Sequence, residues 1–124
     1  IESRALEKLA LLGVAEQARK PASKLSGGQQ QRVAIARSLI NDPTVIMGDE
    51  PTGNLDSANG EKVTIMLRKL VEDHGQTIVI VTHDAQVARQ ADRVIYLADG
   101  QIEREEIIRP RQPSPAPLME ASRR

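Results

Sequence analysis

Residues Leu25 to Asp56 read LSGGQQQRVAIARSLINDPTVIMGDEPTGNLD. Two chemical signals lie in this stretch at a fixed distance. The first is Leu25-Ser26-Gly27-Gly28-Gln29, a small polar and glycine cluster that opens a helix. A helix N-terminus leaves its first N–H groups unpaired and carries partial positive charge, so it attracts phosphate. Gly27 and Gly28 would let a ligand approach the backbone, and the Ser26 hydroxyl can add a hydrogen bond. Read alone, the same residues also make an ordinary N-cap and turn. The second signal is the apolar run Val45-Ile46-Met47, which leads into Asp49-Glu50. Acids ending a buried strand sit where open α/β sheets bind ligands. One can hold Mg²⁺, often through water, while its neighbour orients and activates an attacking water. Pro51 and Gly53 mark a turn, so a capping acid is the plain structural alternative.

Outward from this stretch, the pattern alternates helices and strands. Toward the N-terminus, Ser3 is an N-cap candidate for a helix carrying Ala5, Leu6, Leu9, Ala10 and Leu12, with Gly13 as its stop. Val14 to Lys24 is polar, contains Pro21 and reads as a connection. The helix opened by Gly27-Gly28 runs to Asn41. Val33, Ala36 and Ile40 form one stripe and Ile35 and Leu39 another, which predicts burial between layers. Thr44 to Met47 predicts a strand covered on both faces, followed by a loop from Gly48 to Asp56. Asp56 or Ser57 caps the next helix, where Val63, Met66, Leu67, Leu70 and Val71 recur at helical spacing until Gly75. Thr77 to Val81 (TIVIV) predicts a buried strand, with Thr82-His83-Asp84 at its end and a short helix through Gln90. Arg93 to Leu97 predicts another strand, and Asp99-Gly100 a hairpin turn into Gln101-Ile102. Strand, helix, strand, helix, strand is the pattern of a parallel α/β sheet flanked by helices. Four of the seven prolines fall between Pro110 and Pro117, so residues 104–124 read as a Pro-rich, disordered tail after a 1–103 domain.

Composition excludes several functions. The 124 residues carry 17 basic and 17 acidic side chains, which gives no electrostatic case for a nucleic-acid partner. One Tyr and no Trp or Phe leave no base-stacking platform. No cysteine is present, so there is neither disulfide nor thiolate metal site, as suits a cytoplasmic setting. No apolar run approaches the roughly 18 residues that a membrane span needs.

LSGGQQQRVAIAR resembles, residue by residue, the signature motif of the ATP-binding-cassette (ABC) ATPases. The strand ending in Asp49-Glu50 and followed by PTGNLD resembles their Walker B motif and D-loop, and VTHD around His83 resembles their H-loop. The resemblance covers nearly all of Ile1 to Ile102. It implies the C-terminal part of a P-loop NTPase fold, from the end of the helical subdomain onward. It assigns Asp49 to Mg²⁺, Glu50 to general base, and His83 to the γ-phosphate. Ser26, Gly27, Gly28 and Gln29 become the ATP-closing signature, and Asp56 the contact across a head-to-tail dimer. His83 read by itself is equally a structural histidine at a strand end. The wording DEPTGNLD with KLSGGQQQRVAIARSL is most similar to the subgroup serving lipoprotein release, macrolide-type efflux and FtsE-like cell-division complexes.

One part of such an ATPase is missing from the sequence. A nucleotide-binding cassette needs G-x-x-x-x-G-K-[ST] to wrap the phosphates. Gly48 to Gly53 has the glycine spacing, but Asn54-Leu55 follow, and none of the five lysines stands between Gly and Ser or Thr. The expectation is therefore an ATPase subunit of a bacterial ABC transporter that is inactive alone. Its expected partners are a P-loop-bearing N-terminal half, a second ATPase subunit and transmembrane permease subunits at the inner face of the membrane. With the P-loop strand absent, the sheet should split and expose apolar edges, a hazard for a monomer. Two other functions share these motifs: a soluble ABC ATPase acting on nucleic acid or the ribosome, and a non-catalytic truncated interaction module.

Overall fold

The computed structural model describes residues 2–110. The chain divides into two compact units between Ala85 and Gln86. In the first, α1 (Glu2–Leu11) leads through two 3-10 turns, Ala15–Gln17 and Ala22–Lys24, to α2 (Gly27–Ser38). Then come β1 (Val45–Asp49), α3 (Ser57–His74) and β2 (Thr77–Val81). Ser3 lies within α1 rather than capping it, and α2 stops three residues short of the predicted Asn41. β1 extends past Met47 to Asp49, so the acids stand at the strand tip instead of inside a loop.

The core of this unit is Leu12, Val14, Ile35, Ala36, Leu39, Ile46, Val63, Leu67 and Leu70. Leu12, Val14 and Val63 are the large side chains fully removed from solvent, each such burial contributing about 1.5–3 kcal/mol. Val14 sits in the stretch that reads as a polar connection. The backbone folds back there, Val14 N–H donating to Leu9 O at 3.0 Å, and carries the side chain inward. α2 does not bury two stripes equally: Ile35, Ala36 and Leu39 are buried, whereas Val33 and Ile40 are half-covered. Lys8 of α1 pairs with Asp42 after α2, and this ammonium holds the Asp42 carboxyl below its ordinary range.

β1 and β2 are parallel, with Met47 opposite Val79 and Asp49 opposite Val81, and α3 makes the crossover. α3 is set by its ends. The Asp56 carboxylate accepts from Asn59 N–H at the start, and Gly75 takes the left-handed conformation that closes the end. Period two in the strands then splits their side chains. Ile46, Ile78 and Ile80 face the helices. Val45, Met47, Val79 and Val81 share the opposite face and are exposed, Met47 by 78%. The apolar runs predict cover on both faces for β1 and a buried strand for β2. Among the described residues of this unit, only one face has a helix layer.

α4 (Ala85–Ala88) starts on the last residue of the first unit, and an antiparallel hairpin of β3 (Arg93–Ala98) and β4 (Gln101–Ile107) follows in the second. Asp99 (φ 52°) and Gly100 (φ 75°) form its turn, as the Asp-Gly pair predicts. The strands thus form two separate sheets, β1–β2 and β3–β4, in keeping with the expected split. The expected boundary at 103/104 falls inside β4, and residues 104–107 belong to that strand rather than to a tail. Apart from 108–110, the remainder of the expected tail is 111–124, outside the described residues.

Candidate active site

The first cluster is the start of α2. Ser26 is its N-cap: its Oγ accepts from Gln29 N–H at 3.1 Å, and its own N–H donates to Gln29 Oε1 at 3.0 Å. This reciprocal capping box satisfies two groups and fixes the helix entry. Gln30 N–H is taken by Ser26 O at 2.8 Å. The N–H groups of Gly27 and Gly28 are the first of the helix and have no intrahelical carbonyl to meet. They form the anion-attracting end, and the Ser26 hydroxyl proton stays available to donate beside them. Gln30 Nε2 bonds Ala22 O and Leu25 O, both at 3.2 Å, and so ties the approach loop to the helix. Nothing in the sequence singles out Gln30, since three consecutive glutamines look alike.

Gly28 is set against the first turn of α3. It is buried, and a Cβ there would lie 3.3 Å from Asn59 Oδ1 and 3.5 Å from Asn59 Cγ. A Cβ on Gly27 would lie 3.2 Å from Leu55 Cδ2. These glycines therefore admit the loop 51–56 and the first turn of α3. Asn59 is held in turn by Asp56, through its N–H to Oδ1 at 2.8 Å and Nδ2 to Oδ2 at 3.1 Å. Gly28→Ala is expected to cost about 1 kcal/mol more in the parent chain than in an Asn59→Ala background, the coupling expected of residues in contact. Urea denaturation of the four chains in that double-mutant cycle measures it. Strict additivity would mean that Asn59 is not what Gly28 makes room for.

The second cluster joins the tips of β1 and β2. Glu50 adopts φ 48°, in the left-handed region, and its N–H donates to Val81 O at 2.8 Å. This turn aims the carboxylate across to β2. Oε1 accepts from His83 N–H at 2.7 Å and Oε2 from Thr82 Oγ–H at 3.2 Å. The His83 imidazole stands in solvent, 98% exposed, with Nε2 3.9 Å from Glu50 Oε1. Asp49 is exposed at the end of β1. Mg²⁺ is usually held by one or two carboxylates together with waters and phosphate oxygens, and a single open carboxylate at a strand tip fits that mode. Among the described residues no three or more His, Asp or Glu side chains gather as a metal-binding group.

The structure thus brings Glu50 and His83 together, and sets Gly27 and Gly28 against Leu55 and Asn59. Over residues 2–53 the chain matches the sequence profile of the ABC transporter family. It is 56% identical over 107 residues to an uncharacterized ABC transporter ATP-binding protein of Methanocaldococcus jannaschii, MJ0796, covering 86% of this chain and 46% of that protein. By sequence and by fold the chain resembles the ABC transporter ATP-binding domains. The macrolide export ATP-binding/permease protein MacB of Escherichia coli K12 is 54% identical over 101 residues, covering 82% of this chain and 15% of MacB. A solved dimeric post-hydrolysis state of the cassette MJ0796 with ADP and Pi superposes with a TM-score of 0.72 at 53% identity, covering 87% of this chain and 47% of that one. The chain spans about half the length of MJ0796 and a smaller share of MacB. Among ABC ATP-binding domains its resemblance to the macrolide-efflux and lipoprotein-release subgroup fits these relatives. No helix among the described residues is long and apolar enough to cross a membrane.

Proposed function

We propose that this chain supplies the signature, Walker B, D-loop and H-loop portion of the ATP-hydrolysing subunit of an export or lipoprotein-release type ABC transporter. The observation that carries the proposal is the corner at the strand tips. Asp49 and Glu50 end β1, and Glu50 is pinned by a 2.7 Å bond from the His83 N–H at the end of β2.

Each residue then has a task. Glu50 accepts a proton from the water that attacks the γ-phosphorus, one lone pair on each oxygen already fixed and the others directed outward. The exposed His83 imidazole donates a hydrogen bond to the phosphoryl oxygens. Asp49 would hold Mg²⁺, which when bound neutralises charge on the phosphate oxygens. The unpaired N–H groups of Gly27 and Gly28, with the Ser26 hydroxyl, close over ATP held on the P-loop of a second subunit. Gln29 keeps that cradle in shape through the capping box, and Asp56 meets the partner subunit. Closure and reopening of this head-to-tail dimer drive permease subunits at the cytoplasmic face of the membrane. The sequence has no P-loop, so turnover requires a P-loop-bearing half.

The test is ATP binding by this chain alone, and then by its assembly with a P-loop-bearing half. The expected result is no binding alone and Mg-dependent turnover on mixing. Tight binding by the chain alone would overturn the proposed division of the site.

A further inference from the structure

Glu50 carries its function only if its carboxylate is held still, and the sequence names no residue for that task. The structure has one. Thr82 Oγ accepts from Asp84 N–H at 2.9 Å. That bond uses one lone pair and turns the hydroxyl proton toward Glu50 Oε2, 3.2 Å away. The chain of contacts runs from Asp84 N–H through the Thr82 hydroxyl to Glu50. With His83 N–H on Oε1, both carboxylate oxygens are anchored to the two residues that follow β2, and Asp84 N–H braces the first of them. We infer that Thr82 is a positioning residue for Glu50, fixing the plane of the carboxylate and tying the β1 tip to segment 82–84. A threonine after a strand that merely caps its own turn would need only the bond from Asp84. The second bond, across to the other strand, is what the capping role leaves unexplained. Segment 82–84 and the general base therefore move together, so any displacement of His83 by nucleotide also reorients Glu50.

This inference rests on the reading of Glu50 as general base, and the experiment separates the two. The measurement is steady-state ATP hydrolysis by the complete ATPase containing this chain, for the parent, Thr82→Val, Thr82→Ser and Glu50→Gln. Val keeps the shape and removes the hydroxyl; Ser keeps the hydroxyl. Thr82→Val is expected to lower kcat about tenfold, the scale of one lost hydrogen bond to a charged group, with KM for MgATP within about twofold. Thr82→Ser should restore kcat to within about twofold of the parent. A residue that only shapes the turn would change protein yield or KM and would not separate kcat from KM in this way. Parent-like kcat in Thr82→Val, with Glu50→Gln inactive, overturns the role of Thr82 and leaves that of Glu50 standing. Full activity in Glu50→Gln overturns both. Should Thr82→Val not assemble, Thr82→Ala read by the same kinetics decides.

Discussion

Glu50→Gln, made in the ATPase assembled with a P-loop-bearing half, is expected to lower kcat by about 10²–10⁴-fold, the contribution of a positioned general base. KM for MgATP should change little. The substitution is nearly isosteric, and the surroundings of residue 50 accommodate it. The glutamine carbonyl oxygen can still accept from His83 N–H, where Oε1 now sits at 2.7 Å. The new NH₂ would face Thr82 Oγ, which already accepts from Asp84 N–H and has a second lone pair. The backbone, with its bond to Val81 O, is untouched. The capacity to take a proton from water disappears. Turnover within about threefold of the parent, measured by phosphate release, would remove Glu50 from the base role.

Leu12→Ala should be the most damaging of simple truncations, costing about 2–5 kcal/mol. Leu12 is wholly buried beside Val14 and Val63, just past the last residue of α1. α1 itself buries no residue completely, so Leu12 and Val14, immediately beyond its C-terminus, supply much of its attachment to α2. Total stability of a small domain is about 5–15 kcal/mol, so this loss would take a large share. Urea denaturation should show a lower midpoint with an unchanged slope. A shift worth less than about 1 kcal/mol would mean that the neighbouring chain closes the cavity.

Features dictated by short-range chemistry were legible in the sequence. The N-cap at the start of α2, the Asp56 cap, the Gly75 terminus and the Asp99-Gly100 turn each bond within a few residues, and residue type alone specifies them. Features that depend on distant partners were not. Val14 has no periodic neighbours, and its burial is decided by the fold-back onto Leu9. The apolar run of β1 suggested two covered faces and that of β2 a buried strand, yet Met47 and Val81 lie open. A run of β-branched residues records a preference for strand, not the number of layers around it. Arg104, Glu105 and Glu106 looked like tail because they lead into a proline-rich run with few apolar residues, but pairing with β3 makes them strand. The acids and His83 were visible as motifs. Thr82 was not, since a hydroxyl after a strand is common and only the crossing to Glu50 gives it meaning.

The backbone at residue 50 has a further consequence, for evolution in the laboratory. A glutamate at φ 48° occupies a conformation that glycine adopts freely, at a cost of order 1–3 kcal/mol for other residues. Gly at this position would relax the turn and lose the carboxylate. A library screened for thermal resistance alone should therefore drift to Gly at codon 50, while one screened for hydrolysis should retain Glu. Stability and turnover pull a single codon in opposite directions.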